Sequence, residues 1–185
     1  MLKPIAKNFS GLIIITGPIK SGKSQLAEFL IKEQESITYI ATSNPRNDDP
    51  EWQLKINVHS SRRPNSWKVI EHPPDICKTI ESMQKNESIL IDSLGGFVEQ
   101  NIIKNNDQWK SIQSNFINCI LKSDLAIIIV IEEIGWGIVP ATPIGHLFRE
   151  RLCSLSSLLC LHSTNKWLAL NGTAIDLDNI GYQIP

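Results

Sequence analysis

Gly11-Leu12-Ile13-Ile14-Ile15-Thr16-Gly17-Pro18-Ile19-Lys20-Ser21-Gly22-Lys23-Ser24 runs from a continuous apolar segment straight into a complete G-x-x-x-x-G-K-S pattern. The apolar run reads as a buried strand, and the following Gln25-Leu26-Ala27-Glu28-Phe29-Leu30-Ile31-Lys32 reads as a helix. Strand, glycine-rich turn and helix in this order make a phosphate cradle. Gly17 and Gly22 let successive backbone N–H groups point at one anion, and the helix N-terminus adds its dipole. Lys23 is placed to neutralise β- and γ-phosphates, and Ser24 to ligate Mg²⁺ through its hydroxyl. Gly17, Pro18, Ile19, Lys20, Ser21, Gly22, Lys23 and Ser24 are therefore the candidate triphosphate-binding residues, Lys23 is a candidate catalytic residue, and Ser24 is a candidate metal ligand. The bland alternative is a glycine-rich turn that binds nothing.

Working outward, apolar runs of strand length recur between helical patterns: Leu12 to Thr16, Ile37 to Ala41, Trp67 to Ile70, Ser88 to Ile91, Leu125 to Ile131 and Trp167 to Leu170. Continuous apolar strands are buried on both faces, which crossover helices provide, so the pattern predicts an α/β fold with a mainly parallel sheet. Ligands of such sheets bind beyond the carboxyl ends of the strands, where the Gly17–Ser24 turn sits. Ser43 to Ser66 is polar and long for a connection between two strands, and reads as an inserted functional or disordered loop.

The chain has 185 residues and no internal repeat, low-complexity tract or linker, which predicts a single nucleotide-binding domain over residues 1–185. A net charge of -1 leaves no basic footprint for extended nucleic acid. Leu125 to Ile131 is too short to span a bilayer and the N-terminus lacks a signal-peptide pattern, so a cytoplasmic location without membrane insertion is expected. Cys77, Cys119, Cys153 and Cys160 form no C-x-x-C pair and read as reduced core fillers.

Ile89-Leu90-Ile91-Asp92-Ser93 has the form of a second nucleotide strand, an apolar run ending in a carboxylate that holds Mg²⁺ directly or through water. Asp92 is the second metal candidate; its alternative is a cap on the next helix. Within the polar insertion, His59 stands close to Arg62 and Arg63. A neutral imidazole can attack phosphorus to form a phosphoramidate, with guanidiniums stabilising the transferring group, while the alternative is an exposed loop histidine. Glu133-Ile134-Gly135-Trp136-Gly137-Ile138-Val139-Pro140 follows the last long strand, and reads either as backbone approaching a ligand or as a turn before a helix begun by Pro143.

Five ordered blocks, Gly17 to Ser24, Tyr39 to Ser43, Glu51 to Glu71, Leu90 to Leu94 and Glu133 to Pro140, resemble the bifunctional adenosylcobinamide kinase and adenosylcobinamide-phosphate guanylyltransferase family of cobalamin biosynthesis. The resemblance implies a P-loop fold with a RecA-like sheet and assembly into an oligomer, commonly a trimer in the family. It implies two reactions: phosphorylation of adenosylcobinamide by ATP or GTP, then GMP transfer from GTP through a guanylylated histidine to give adenosylcobinamide-GDP. Carried onto this chain, His59 matches that histidine, Lys23 and Ser24 bind triphosphate and Mg²⁺, Asp92 takes the metal position, Arg63 and Pro64 shape the guanylylation loop, and Glu71 closes that nucleotide-binding block. The family pattern F-R-D-x-x-G-x-x-N-Q is here Phe148-Arg149-Glu150 with Cys153, Ser156 and Ser157, and Pro18 stands where glycine is usual. Serine offers fewer and shorter hydrogen-bonding groups than an amide, and proline has no N–H for phosphate.

Overall fold

Seven strands form one sheet in the order β3-β2-β4-β5-β1-β6-β7. The computed structural model describes residues 2–7, 9–45, 48–137 and 139–184; within its second helix the side chains of Trp52, Lys55, Asn57, Val58 and His59 lie outside the described part. In chain order the elements are β1 (Gly11–Gly17), α1 (Lys23–Ile31), β2 (Ser36–Ala41), α2 (Pro50–Arg62), β3 (Lys68–Glu71), α3 (Ile76–Glu81), β4 (Glu87–Asp92), α4 (Leu94–Gln100), α5 (Asn106–Lys122), β5 (Ala126–Glu132), α6 (Pro143–His162), β6 (Asn165–Leu170), β7 (Thr173–Asp176) and α7 (Leu177–Ile180). The pairings from β3 through β6 are parallel, and β7 alone runs antiparallel, against β6.

The central strands are apolar throughout because both faces are covered. Leu12, Ile14, Ile89, Ile91, Ile127 and Ile129 pack on one face with Phe97, Phe116, Leu152 and Leu155, which come from α4, α5 and α6. Ile13, Ile15, Leu90, Ile128 and Val130 face the other way, onto Leu26, Ala27, Leu30 and Ile31 of α1. Each such side chain, fully buried, contributes about 1.5–3 kcal/mol relative to exposure. The sheet is accordingly a rigid platform for whatever its strand ends carry.

The structure corrects one expectation outright, modifies a second and adds a strand. The polar insertion is not a long loop, since residues 50–62 form α2. Among its described side chains Glu51, Leu54, Ser60, Ser61 and Arg62 are exposed, and Gln53 and Ile56 are half-buried. The strand β7 went unread although Asn171-Gly172, with φ of 48° and 78°, is the turn chemistry of a tight hairpin. The cysteines are core fillers only in part: all four are free thiols, Cys77, Cys119 and Cys160 are half-buried and pack against the core, and Cys153 is exposed because the buried positions of α6 are Arg151, Leu152, Leu155 and Leu159.

Candidate active site

The strand order places β5 between β1 and β4, so three strand ends converge. Gly17 pairs with Glu132, while Asp92 pairs with Val130 on the other side of β5. The chain leaves β1 through Gly17, at φ 151° and with no room for a side chain, since a Cβ would overlap the Ala169 carbonyl oxygen. It enters α1 through Gly22, which is left-handed at φ 99°. Pro18 is half-buried, Ile19 and Lys20 are exposed at the tip, and Ser21 is buried with a hydroxyl that has no hydrogen-bond partner among the described residues. A buried donor left unpaired costs about 1–3 kcal/mol, so this orphan in the cradle fits a site completed by phosphate.

Lys23 is only 9% exposed and its Nζ donates to the Pro18 carbonyl at 2.7 Å. Burial pushes its ammonium below the ordinary value, and Glu132, Asp92 and Glu133 oppose that shift. Ser24 follows in the first turn of α1. Proline at position 18 thus costs an N–H but leaves a carbonyl that parks the lysine where phosphate oxygens are to be met.

Asp92 is not a helix cap. Ser93 occupies the cap position of α4, and the Asp92 Oδ2 instead accepts from the Tyr39 hydroxyl at 2.8 Å. Tyr39 is buried, and its phenol is pushed up by that burial and then by the Asp92 charge, so it remains a donor. One carboxylate oxygen is therefore fixed by Tyr39, and the Asp92 charge acts on Lys23 of the cradle. A hydroxyl and a carboxylate of this kind fit Mg²⁺, a hard cation that takes few protein ligands and completes its shell with water and phosphate.

Glu132 was missed in the sequence, although it heads a Glu-Glu pair at the end of an apolar run. Its carboxylate accepts from the Ser93 hydroxyl and, at 3.0 Å, from the Gly95 N–H. A Cβ at Gly95 would press on both carboxylate oxygens, so any larger residue there would require the Glu132 side chain to shift. Burial raises the Glu132 carboxyl, partly offset by the Ser93 and backbone hydrogen bonds. Its neighbour Glu133 continues off the strand with its N–H on the Gly17 carbonyl at 2.9 Å.

The rest of the expected set is more dispersed. His59 lies by its backbone in the last turns of α2, with its side chain outside the described part. Arg62 pairs with Glu28 of α1 through two contacts of 3.2 Å, fastening α2 to the helix that follows the cradle. Arg63 stacks its guanidinium on Tyr39 at 4.0 Å from the ring centroid. Arg63, Tyr39 and Asp92 thus form a continuous contact from the end of α2 to the cradle. Pro64 is exposed, just beyond the end of α2. Glu71 is exposed at the end of edge strand β3, which β2, β4 and β5 separate from β1, four strand spacings or roughly 19 Å. Ser157 donates to the Cys153 carbonyl within its own helix.

Comparison with known proteins follows the same lines. Residues 13–177 match the family described as Cobinamide kinase / cobinamide phosphate guanyltransferase. The chain is 27% identical to the Bifunctional adenosylcobalamin biosynthesis protein CobU of Escherichia coli over 90% of its own length and 99% of that protein's. It is 31% identical to the Bifunctional adenosylcobalamin biosynthesis protein CobP of Pseudomonas aeruginosa, over 74% and 78%. Among solved structures, a prototypical ATPase from the type III secretion system of pathogenic bacteria superposes with a TM-score of 0.52 at 10% identity. It covers 94% of this chain and 59% of that one, a likeness of fold.

Proposed function

The chain belongs to the cobinamide kinase / cobinamide phosphate guanyltransferase family, and from that premise we propose that it phosphorylates the hydroxyl of adenosylcobinamide with ATP or GTP held in the Gly17–Ser24 cradle. A second step then transfers GMP from GTP to the new phosphate, giving adenosylcobinamide-GDP. The observation that carries the reading is a cradle in which buried Lys23 lies within the field of Asp92, Glu132 and Glu133. The lysine stabilises charge spread over the transferring phosphoryl oxygens, and the rigid sheet sets its position in advance. Ser24 and Asp92 are the residues that would hold Mg²⁺, whose chemistry is to neutralise charge between the β- and γ-phosphates.

For the second step the proposed nucleophile is His59. Its imidazole nitrogen bonds to the α-phosphorus of GTP as the bond to pyrophosphate breaks. The acceptor phosphate oxygen then takes the GMP and frees the ring. Support comes from family membership and from the Arg62 and Arg63 contacts that tie the end of α2 to the P-loop helix and to Tyr39. The test is incubation with α-labelled GTP followed by denaturing electrophoresis. A protein-bound label that is acid-labile, base-stable and absent in His59→Ala is expected, with adenosylcobinamide phosphorylation retained in that variant. Label surviving in His59→Ala would move the nucleophile elsewhere. A kinase without guanylyl transfer is the second reading, favoured by Ser157, whose hydroxyl is engaged by its own helix where the family has an amide; absence of any covalent label in the parent protein would select it.

A further inference from the structure

Beyond the P-loop, a cavity of about 330 Å³ opens between the turn after β5 and the first half of α6, lined by Gly135, His146, Arg149, Glu150 and Cys153. It begins next to the cradle: Glu133, whose N–H is on the Gly17 carbonyl, accepts the Gly135 N–H at 2.6 Å. The Glu133 carboxylate therefore stands at the rim of the cavity, and its charge acts on both Lys23 and Cys153. Arg149 is half-buried in this wall and makes no hydrogen bond or ion pair among the described residues. A guanidinium partly withdrawn from water and left unpaired loses some hydration without compensation, and an anion with several acceptor oxygens relieves this by bidentate contact. The imidazole of His146, one turn earlier on the same helix, adds a further donor to the cavity.

We propose that this cavity is the subsite for the acceptor's phosphate, a phosphate monoester of an alcohol, with Arg149 as its principal ligand and His146 as the second. The assignment rests on the two-step reading above, because only a kinase that passes its product to a second transfer needs to grip a monoester separately from the triphosphate. The volume admits a phosphate on a short alkyl arm and leaves the body of a large acceptor outside. Cys153, exposed in the same wall, reports on occupancy without any enzymatic turnover.

The experiment is alkylation of the native protein with a maleimide, followed cysteine by cysteine by peptide mass, while inorganic phosphate is titrated against chloride at constant ionic strength. Phosphate at about ten times its dissociation constant is expected to slow modification of Cys153 about tenfold, leaving Cys77, Cys119 and Cys160 unaffected. Arg149→Met should abolish that protection, Arg149→Lys should retain part of it, and Lys23→Ala should keep it intact. No protection in the parent protein overturns the proposal. So does protection that is lost in Lys23→Ala but kept in Arg149→Met, which would place the phosphate in the P-loop. A failure of the kinase reading leaves this thiol measurement unchanged, so the two failures are separable.

Discussion

At the residue scale, Glu132 is a carboxylate held at the cradle against the cost of its burial. It lies beside Gly17 in the β1–β5 register, hydrogen-bonded by Ser93 and Gly95, and burial nevertheless raises its carboxyl. A carboxyl whose folded value lies above its unfolded one binds more protons in the native state. Stability is then fully present below the unfolded value near 4.3 and falls as pH rises from there through the folded value. Glu132→Gln removes the charge while its amide can still accept from Gly95 and donate to Ser93. The variant should gain stability relative to the parent as pH climbs above about 4.3, and the gap should close in more acid solution. Denaturant melts across that range check this; a gap that is constant with pH would mean that the carboxylate is not penalised by burial. Lys23, Ser24 and Asp92 were legible in the sequence because a contiguous motif or a strand end marks each. Glu132 and Tyr39 were not, since their importance comes from partners on other strands, Gly17 and Asp92, that only the sheet register supplies.

At the scale of elements, the C-terminal end of α2 is tied to α1 by the Arg62–Glu28 pair, whose side chains are 27% and 13% exposed. A partly buried, two-contact guanidinium–carboxylate pair is worth about 1 kcal/mol. Arg62→Ala should therefore speed amide hydrogen exchange across residues 50–62 about fivefold, while β1 and α1 stay protected. Unchanged exchange in α2 would show that the pair is incidental. The α2 segment read as a loop because Asn, Asp, Pro, Ser and Arg dominate Ser43 to Ser66, a composition that signals a connection more strongly than its apolar positions signal a helix. The central strands β1, β4 and β5 were readable because each carries an apolar run buried on both faces, while β3 and β6 were marked by shorter apolar runs. The hairpin strand β7 was missed because Thr173–Asp176 is short and only partly buried, even though the Asn-Gly turn before it was in plain view.

At the scale of the molecule, the strand order does the organising. One strand, β5, separates the P-loop strand from the Asp92 strand, and its end delivers Glu132 to the cradle and Glu133 toward the α6 cavity. Among the described residues no helix is long and apolar enough to cross a membrane. The Gly17–Ser24 turn, Asp92, Glu132 and Glu133 lie together at the carboxyl ends of three adjacent strands, with the proposed triphosphate cradle at their centre. That centre is tested most directly by transfer of label from γ-labelled ATP or GTP to adenosylcobinamide, comparing the parent with Lys23→Ala. Loss of the lysine should remove about 3–4 kcal/mol of transition-state stabilisation, a fall of about 10²–10³ in rate, with the melting curve little changed. Label transfer within about threefold of the parent by a folded Lys23→Ala protein would contradict the account, since phosphoryl transfer would then take place away from this loop.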